Sequence, residues 1–401
     1  MFLQFARVFL NIFGIYWHFY FHFHFLTLYA IIKTKKTSAQ FFREGKRMSD
    51  TIKMGIIGNG GIFKGAHLPF YIKDKRVEVV ALCDIRRERA EWARNKYFKK
   101  ASVYTDYKEL LQDKSIDAID ICTPNYLHSI IAVDAFAAGK HVFCEKPDAV
   151  NVEEALKMKK ASEEAGKTLM IMRNNRWLDI SKIAKEMAVN GEFGDIYAAR
   201  CGWIRRRGIP GKGGWFTTKA QSGGGPLIDL GVHMIDLAVW IMGNPKPVSV
   251  SGGTFCKFAD NDVSDSVNSD FGDKVEGGTF DVEDLAMGMI RFENGALLQI
   301  EFSWASNIAR EKSFVELRGS KAGIDWSQSR MKIFTEVNGK LKTIRKQRKS
   351  PTGGHDKNLA HFIDVITGKA QPDFVPDQGI DMIRILTAIY ESAATGKEVL
   401  L

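Results

Sequence analysis

Cysteine is scarce in this chain and shows no pairing pattern. The five cysteines, Cys83, Cys122, Cys144, Cys201 and Cys256, are odd in number, scattered and in no metal-like spacing. That argues against a disulfide framework or a zinc site and points to a reducing compartment, so a cytoplasmic protein with no bound metal is expected. Low-complexity tracts and internal repeats are also absent. What remains is an ordinary globular composition, 45% hydrophobic and 26% charged, over 401 residues, enough for two or more domains.

Charge is missing from one stretch altogether. Val8 to Ile32 has no Lys, Arg, Asp or Glu and is crowded with Phe, Tyr, Ile and Leu. It is long enough to span a bilayer, and Lys33, Lys35 and Lys36 behind it would keep the body in the cytoplasm. Yet His18, His22 and His24 lie inside it, and no small-residue cleavage site follows, which makes it a poor signal peptide. Met48 leads at once into a strand. Residues 1–47 therefore read first as a leader outside the folded protein, with translation starting at Met48, and second as a membrane anchor.

A basic stripe is lacking in the body. Residues 1–47 hold seven Lys/Arg against the single acid Glu44, +6 of the formal +10, so the body carries only +4. Beyond Arg205-Arg206-Arg207 and the run Lys342 to Lys349 no basic cluster stands out, and a nucleic-acid partner is not expected.

What is present begins with Lys53 to Ile57, a short buried strand running into Gly58-Asn59-Gly60-Gly61-Ile62-Phe63. The first two glycines fit G-x-G-x-x-G: a tight turn, then room for a pyrophosphate at a helix start. The third position is Phe63 instead of Gly or Ala. Val77 to Leu82 is a second strand, and Asp84 stands at its end, placed to accept hydrogen bonds from adenosine ribose hydroxyls. That favours NAD, while Arg86 and Arg87 beside it leave NADP open. Helices and strands then alternate, which means a parallel sheet with ligands at the carboxyl ends of its strands. Two such ends are Thr123-Pro124-Asn125 and Glu145-Lys146-Pro147. His128 follows the first, either packed on its own helix or lining the cofactor. Lys146 at a strand end is a fixed positive charge able to polarise a hydroxyl or carbonyl, or else a surface lysine before a turn proline.

The stretch Gly223 to Trp240, GGGPLIDLGVHMIDLAVW, places Asp229 and His233 four residues apart, on one helix face, with Asp236 close to that face. A carboxylate beside an imidazole suits proton transfer, and the three glycines let another backbone or a ligand come close. The alternative is a surface helix with polar residues on its outer face.

Taken together, GIIGNGGI, CTPNYLH, AGKHVFCEKP and GGGPLIDLGVHMIDL resemble the glucose-fructose oxidoreductase / inositol dehydrogenase / rhizopine-catabolism (Gfo/Idh/MocA) family, from about Lys53 to Leu401. The resemblance implies an α/β Rossmann domain followed by an α+β domain with a mainly antiparallel, open-faced sheet. It also implies tightly held NAD or NADP and hydride transfer on sugars or cyclitols. Matched residue by residue, it makes Lys146 the catalytic lysine, Asp229 the substrate-positioning acid and His233 the acid/base, with Pro147 in a cis turn. The cofactor contacts then fall on Gly58, Gly60, Gly61, Ile62, Asp84, Thr123, Pro124, Asn125, His128, Glu145 and Lys146.

The expected division is 1–47 leader, 48–172 dinucleotide-binding domain and 173–401 substrate and oligomerisation domain. After a last parallel strand at Thr168 to Met172, Asn174, Asn175 and Arg176 reach the sheet's edge, and Trp215 offers a flat apolar face for a sugar ring. Asn175, Arg176 and Trp215 thus join Asp229 and His233 as expected substrate contacts. Asp260 to Asp273 reads as an exposed polar loop, and strands with turns at Asn294-Gly295, Gly319 and Asn338-Gly339 as an antiparallel sheet. A homo-oligomer is expected, because an open sheet face commonly pairs with another subunit. Two rivals to a dehydrogenase stay in view: a glycosidase working through a transient keto-sugar, and a dinucleotide-binding regulator without catalysis.

Overall fold

Apolar runs too short for helices and too continuous for exposed strands make a parallel sheet at the centre of the N-terminal half. The computed structural model describes residues 51–401. Strands β1 (Ile52–Ile57), β2 (Val77–Cys83), β3 (Ser102–Tyr104), β4 (Ala118–Ile121), β5 (His141–Cys144) and β6 (Leu169–Ile171) pair in the order β3-β2-β1-β4-β5-β6. Every pairing is parallel. β4 is buried at all its positions and β5 at all but His141, as strands covered by helices on both faces must be. The strand order reverses between β1 and β4, and there the carboxyl ends open a crevice where a ligand can enter.

The second sheet has nine strands: β7 (Ile196–Ile204), β8 (Pro247–Phe255), β9 (Leu285–Phe292), β10 (Leu297–Ser303), β11 (Lys312–Gly319), β12 (Ala322–Ser327), β13 (Arg330–Val337), β14 (Lys340–Gln347) and β15 (Val399–Leu400). Its order is β14-β13-β12-β11-β7-β10-β9-β8-β15. Only β7 and β10 run parallel. Strands such as β12 alternate buried and half-buried residues, so one face is packed and the other open. The packed face is covered by the helices Val232–Ile241, on β7 and β11, and Pro376–Thr395, on β8. The turn residues Gly295, Asn338 and Gly339 all take positive φ, as tight hairpins require.

The basic run Lys342 to Lys349, which the sequence reading left without an element, is largely β14, an edge strand exposed throughout; lysines there deter pairing with another strand. The helix expected after the glycine loop is Phe63–Lys73, and it starts with a π turn. The C-terminal helix Pro376–Thr395 also packs against Val152–Ala165 in the first half, so the end of the chain closes the fold across both sheets. Among the described residues one helical stretch, Lys219–Ile241, is long and apolar enough to cross a membrane, and 83% of its apolar window is buried inside the protein. The leader expectation for residues 1–47 lies outside the described residues.

Candidate active site

Lys146 and Asp229 meet where the two sheets approach each other. Lys146 leaves the end of β5 through a cis Lys146-Pro147 bond, and its Nζ donates to Asp229 Oδ1 at 2.7 Å and to the Asp229 carbonyl at 3.0 Å. Trp304, fully buried after β10, donates Nε1–H to Asp229 Oδ2 at 2.9 Å. Burial opposes ionisation of Asp229, but the Lys146 ammonium, the buried Arg205 guanidinium and these hydrogen bonds outweigh it and hold the carboxyl down to about 2. The acid is a carboxylate at neutral pH, fixed from both sides.

Asp229 lies in a π turn, Leu227–Gly231, that opens into the helix Val232–Ile241 carrying His233. The wider turn keeps residues four apart on one side. Burial first, then the Lys146 charge, hold the His233 imidazole down to about 3, so the ring is neutral and able to accept a proton. Trp203 flanks it with ring centroids 6.1 Å apart, and no described protein group hydrogen-bonds it. The glycine run serves the protein itself. A Cβ on Gly225 would fall 2.0 Å from the Glu283 carbonyl oxygen, and one on Gly224 would fall 2.0 Å from Tyr390 Oη. The close approach lets the Glu283 carboxylate accept from Gly225 N–H at 2.9 Å and Leu227 N–H at 3.0 Å, satisfying donors at the helix start.

The crevice at β1 and β4 fits a dinucleotide. Gly58 sits at φ 93°, and a Cβ there would strike the Cys122 carbonyl at 2.5 Å. Asn59 N–H donates to Asp84 Oδ2 at 2.7 Å, drawing the glycine loop and the β2 acid together. Thr123 Oγ1 and both polar side-chain atoms of Asn59 are buried without a partner, as groups awaiting a polar ligand would be. Gly60, Gly61 and Ile62 open the first helix, Pro124 precedes the next helical turn, and Asn125 Nδ2 donates to the Ser222 carbonyl at 2.8 Å, joining the turn to the substrate side.

Three expectations change. Arg176 is fully buried; Nε and Nη2 donate to Asp236 at 2.8 and 2.6 Å and Nη1 to the Asp373 carbonyl at 2.8 Å, so it braces the fold and offers no donor to a substrate. Asp236 accordingly turns away from Asp229 and His233, into a buried network with Arg173 at 3.0 Å. His128 is also fully buried, with Nδ1 at 2.8 Å from the Pro147 carbonyl and Nε2 at 3.0 Å from the Thr123 carbonyl. It ties the two turns together from behind and presents no atom to a cofactor. Asn175 is buried with Nδ2 unpartnered, and Trp215 is half-buried, stacked on Phe216 at 3.8 Å.

A buried histidine missed in the sequence supports Lys146 from beneath. His67, in the π turn after the glycine loop, is within 2.7 Å of Asp120 Oδ2 through Nδ1 and 2.7 Å of Glu145 Oε1 through Nε2. Burial disfavours its charge, but Asp120 and the Cys122 sulfur raise its pKa well above 6.5, giving an imidazolium between two carboxylates. Burial likewise opposes ionisation of Glu145, and His67 overrides it, bringing the acid down to about 2. Glu145 Oε2 in turn accepts the Lys146 N–H at 3.1 Å. His67, Asp120 and Cys122 have the spacing of metal ligands, but both His67 nitrogens are already held by carboxylates. His355, at the start of the helix His355–Ile366, is electrostatically coupled to Glu145, His67 and Lys146, and burial holds it down to about 4. Its signal in the sequence was a histidine directly after Gly353-Gly354; for Trp304 there was none.

The sequence and fold match known proteins along most of the chain. Residues 52–172 match the GFO_IDH_MocA model, described as an oxidoreductase family with an NAD-binding Rossmann fold, and residues 182–325 match the GFO/IDH/MocA C-terminal domain. The D-glucoside 3-dehydrogenase of Escherichia coli (strain K12) is 34% identical over 353 residues, 88% of this chain and 98% of that protein. The scyllo-inositol 2-dehydrogenase (NADP(+)) of Bacillus subtilis (strain 168) is 27% identical, covering 89% of this chain and 98% of its own. Levoglucosan dehydrogenase in complex with NADH superimposes with a TM-score of 0.75 at 23% identity, over 87% of this chain and 99% of that one, which shows the shared fold.

Proposed function

The chain belongs to the Gfo/Idh/MocA family of NAD-binding oxidoreductases, and on that premise we propose that it oxidises a secondary hydroxyl of a sugar or glycoside, using Lys146, Asp229 and His233. The observation that carries this reading is the 2.7 Å contact of Lys146 Nζ with Asp229 Oδ1, beside a neutral His233 one turn along the same helix. Bound NAD supplies the hydride acceptor. A ring nitrogen of His233 takes the hydroxyl proton, the Lys146 ammonium stabilises the oxyanion that develops, and Asp229 orients the ammonium and a neighbouring hydroxyl. In the reverse direction the protonated ring returns the proton to a ketone oxygen. Trp215, half-buried on Phe216, supplies an apolar wall for the sugar ring, and Asn175 Nδ2 a donor.

The D-glucoside 3-dehydrogenase aligned over nearly its whole length supports a glucoside as substrate. Met287, Met289 and Phe334, exposed on the open side of the nine-stranded sheet, support a homo-oligomer. The test is a panel of glucosides, free sugars and cyclitols with the purified full chain and NAD or NADP, following reduced nicotinamide absorbance. Reduction with a glucoside is expected. No reduction with any member, by protein that binds the coenzyme, would remove the dehydrogenase reading.

A further inference from the structure

Arg86 and Arg87, next to Asp84, leave the choice between NAD and NADP open in the sequence. The structure separates them. Arg87 Nε donates to Glu91 Oε1 at 3.0 Å on its own helix. Arg86 instead pairs through Nη2 with Asp273 Oδ2 at 3.2 Å. Arg89 joins it, with Nη2 at 2.8 and 3.1 Å from the two Asp273 oxygens. Asp273 comes from the other half of the protein, in the loop between β8 and β9 that reads in the sequence as a plain solvated segment.

This loop is held across the glycine turn. The Phe271 ring lies 3.4 Å from where a Cβ on Gly61 would be, and Arg89 Nη1 lies 3.8 Å from the same position on Gly60. Behind it, Phe271 meets Phe216 edge-on at 5.7 Å, and Val275 N–H donates to the Lys212 carbonyl at 3.0 Å. A Cβ on Gly213 would fall 1.9 Å from the Val275 carbonyl oxygen, so the backbones there are in close contact. The Asp273 carboxylate is thereby delivered to the guanidinium groups beside Asp84.

The chemistry of that spot follows from the two coenzymes. The acid ending the second strand accepts the ribose hydroxyls of NAD, and a 2′-phosphate in its place needs a nearby arginine free to bind it. Arg86 is the nearest such group, since its own N–H donates to Asp84 Oδ1 at 2.9 Å. A planar guanidinium binds phosphate as readily as carboxylate. We propose that Asp273 is a coenzyme-specificity residue, which occupies Arg86 and Arg89 from the substrate half of the protein and so disfavours NADP against NAD. The proposal rests on the dinucleotide reading of the crevice.

The experiment is direct titration of the full chain with NAD and with NADP, read by tryptophan fluorescence and calorimetry, for the unaltered protein, Asp273→Asn and Asp273→Asn/Arg86→Gln. Asp273 is half-exposed, so the asparagine variant is expected to fold, and its melting curve checks this. Asp273→Asn should tighten NADP roughly fivefold, the scale of one exposed ion pair, and move NAD less than about twofold. Adding Arg86→Gln should abolish the gain. Equal shifts for both coenzymes, an unchanged ratio, or a gain that survives Arg86→Gln would each overturn the proposal. If the unaltered chain bound neither dinucleotide, the coenzyme reading would fall along with it; retained NAD binding with an unchanged ratio would remove the role of Asp273 alone.

Discussion

Lys146 and Asp229 are 83 positions apart in the chain and 2.7 Å apart in space. Both were legible in the sequence, the lysine as a charge at a strand end and the acid by its spacing to His233. The groups that fix them were not legible, because nothing local marks a long-range partner. Trp304 looks like any core tryptophan until its Nε1 is seen on Asp229, and His67 like any helix residue until two carboxylates are found on its ring. Arg176 misled for the same reason: its position at the sheet's edge was right, but Asp236 and Asp373 claim its donors. His67→Gln should leave Asp120 and Glu145 as buried charges without their counter-charge, a loss on the order of 3–5 kcal/mol. The folded pKa of His67 lies above its unfolded value, so its contribution is full below about 6.5 and fades as pH rises through the folded pKa. Denaturant unfolding at several pH values should therefore show the gap between the two proteins narrowing toward alkaline pH. A gap that widens would contradict the imidazolium assignment.

At the scale of elements, β1 to β13 and the long helices could be read from apolar periodicity, and the hairpin turns from Asn-Gly pairs. β14 was hidden by its composition, since an edge strand can be basic and exposed throughout. The π turn before the helix Val232–Ile241 was also hidden, because it depends on Glu283 arriving from the start of β9. Glu283→Ala would leave the buried N–H groups of Gly225 and Leu227 without acceptors, at a cost of about 1–3 kcal/mol. It should also displace Asp229, lowering the melting temperature and turnover together. Loss of stability with normal turnover would mean the cap supports the fold without setting the site. Asp284, next to it, ties the loop after β8 to the start of β9, its Oδ2 accepting from the Lys257 and Phe258 N–H groups at 2.5 Å.

Across the whole molecule, two sheets and the helices between them bring the coenzyme crevice and the Asp229–His233 helix to one place. The alternation of strands and helices made the first half legible, and the run of hairpins the second. The return of the C-terminal helix to the first half was not, because a helix reads the same whichever neighbour it covers. On the reading of residues 1–47 as a leader outside the folded protein, a chain starting at Met48 should stay soluble, bind NAD and turn over as the full chain does. An inactive or insoluble product, checked by gel filtration and NAD titration, would give the leader a structural role.

In the proposed reaction His233 moves the proton, at a site assembled on Lys146 and Asp229. That role is tested by turnover of His233→Ala on the substrate the panel identifies, at saturating NAD, with NAD affinity measured on the same sample. Near-normal NAD binding is expected, with a rate lower by roughly a hundred- to ten-thousand-fold, the usual contribution of general acid–base catalysis. Near-normal turnover would contradict it, and would leave Asp229 and His233 a structural pair on a helix face.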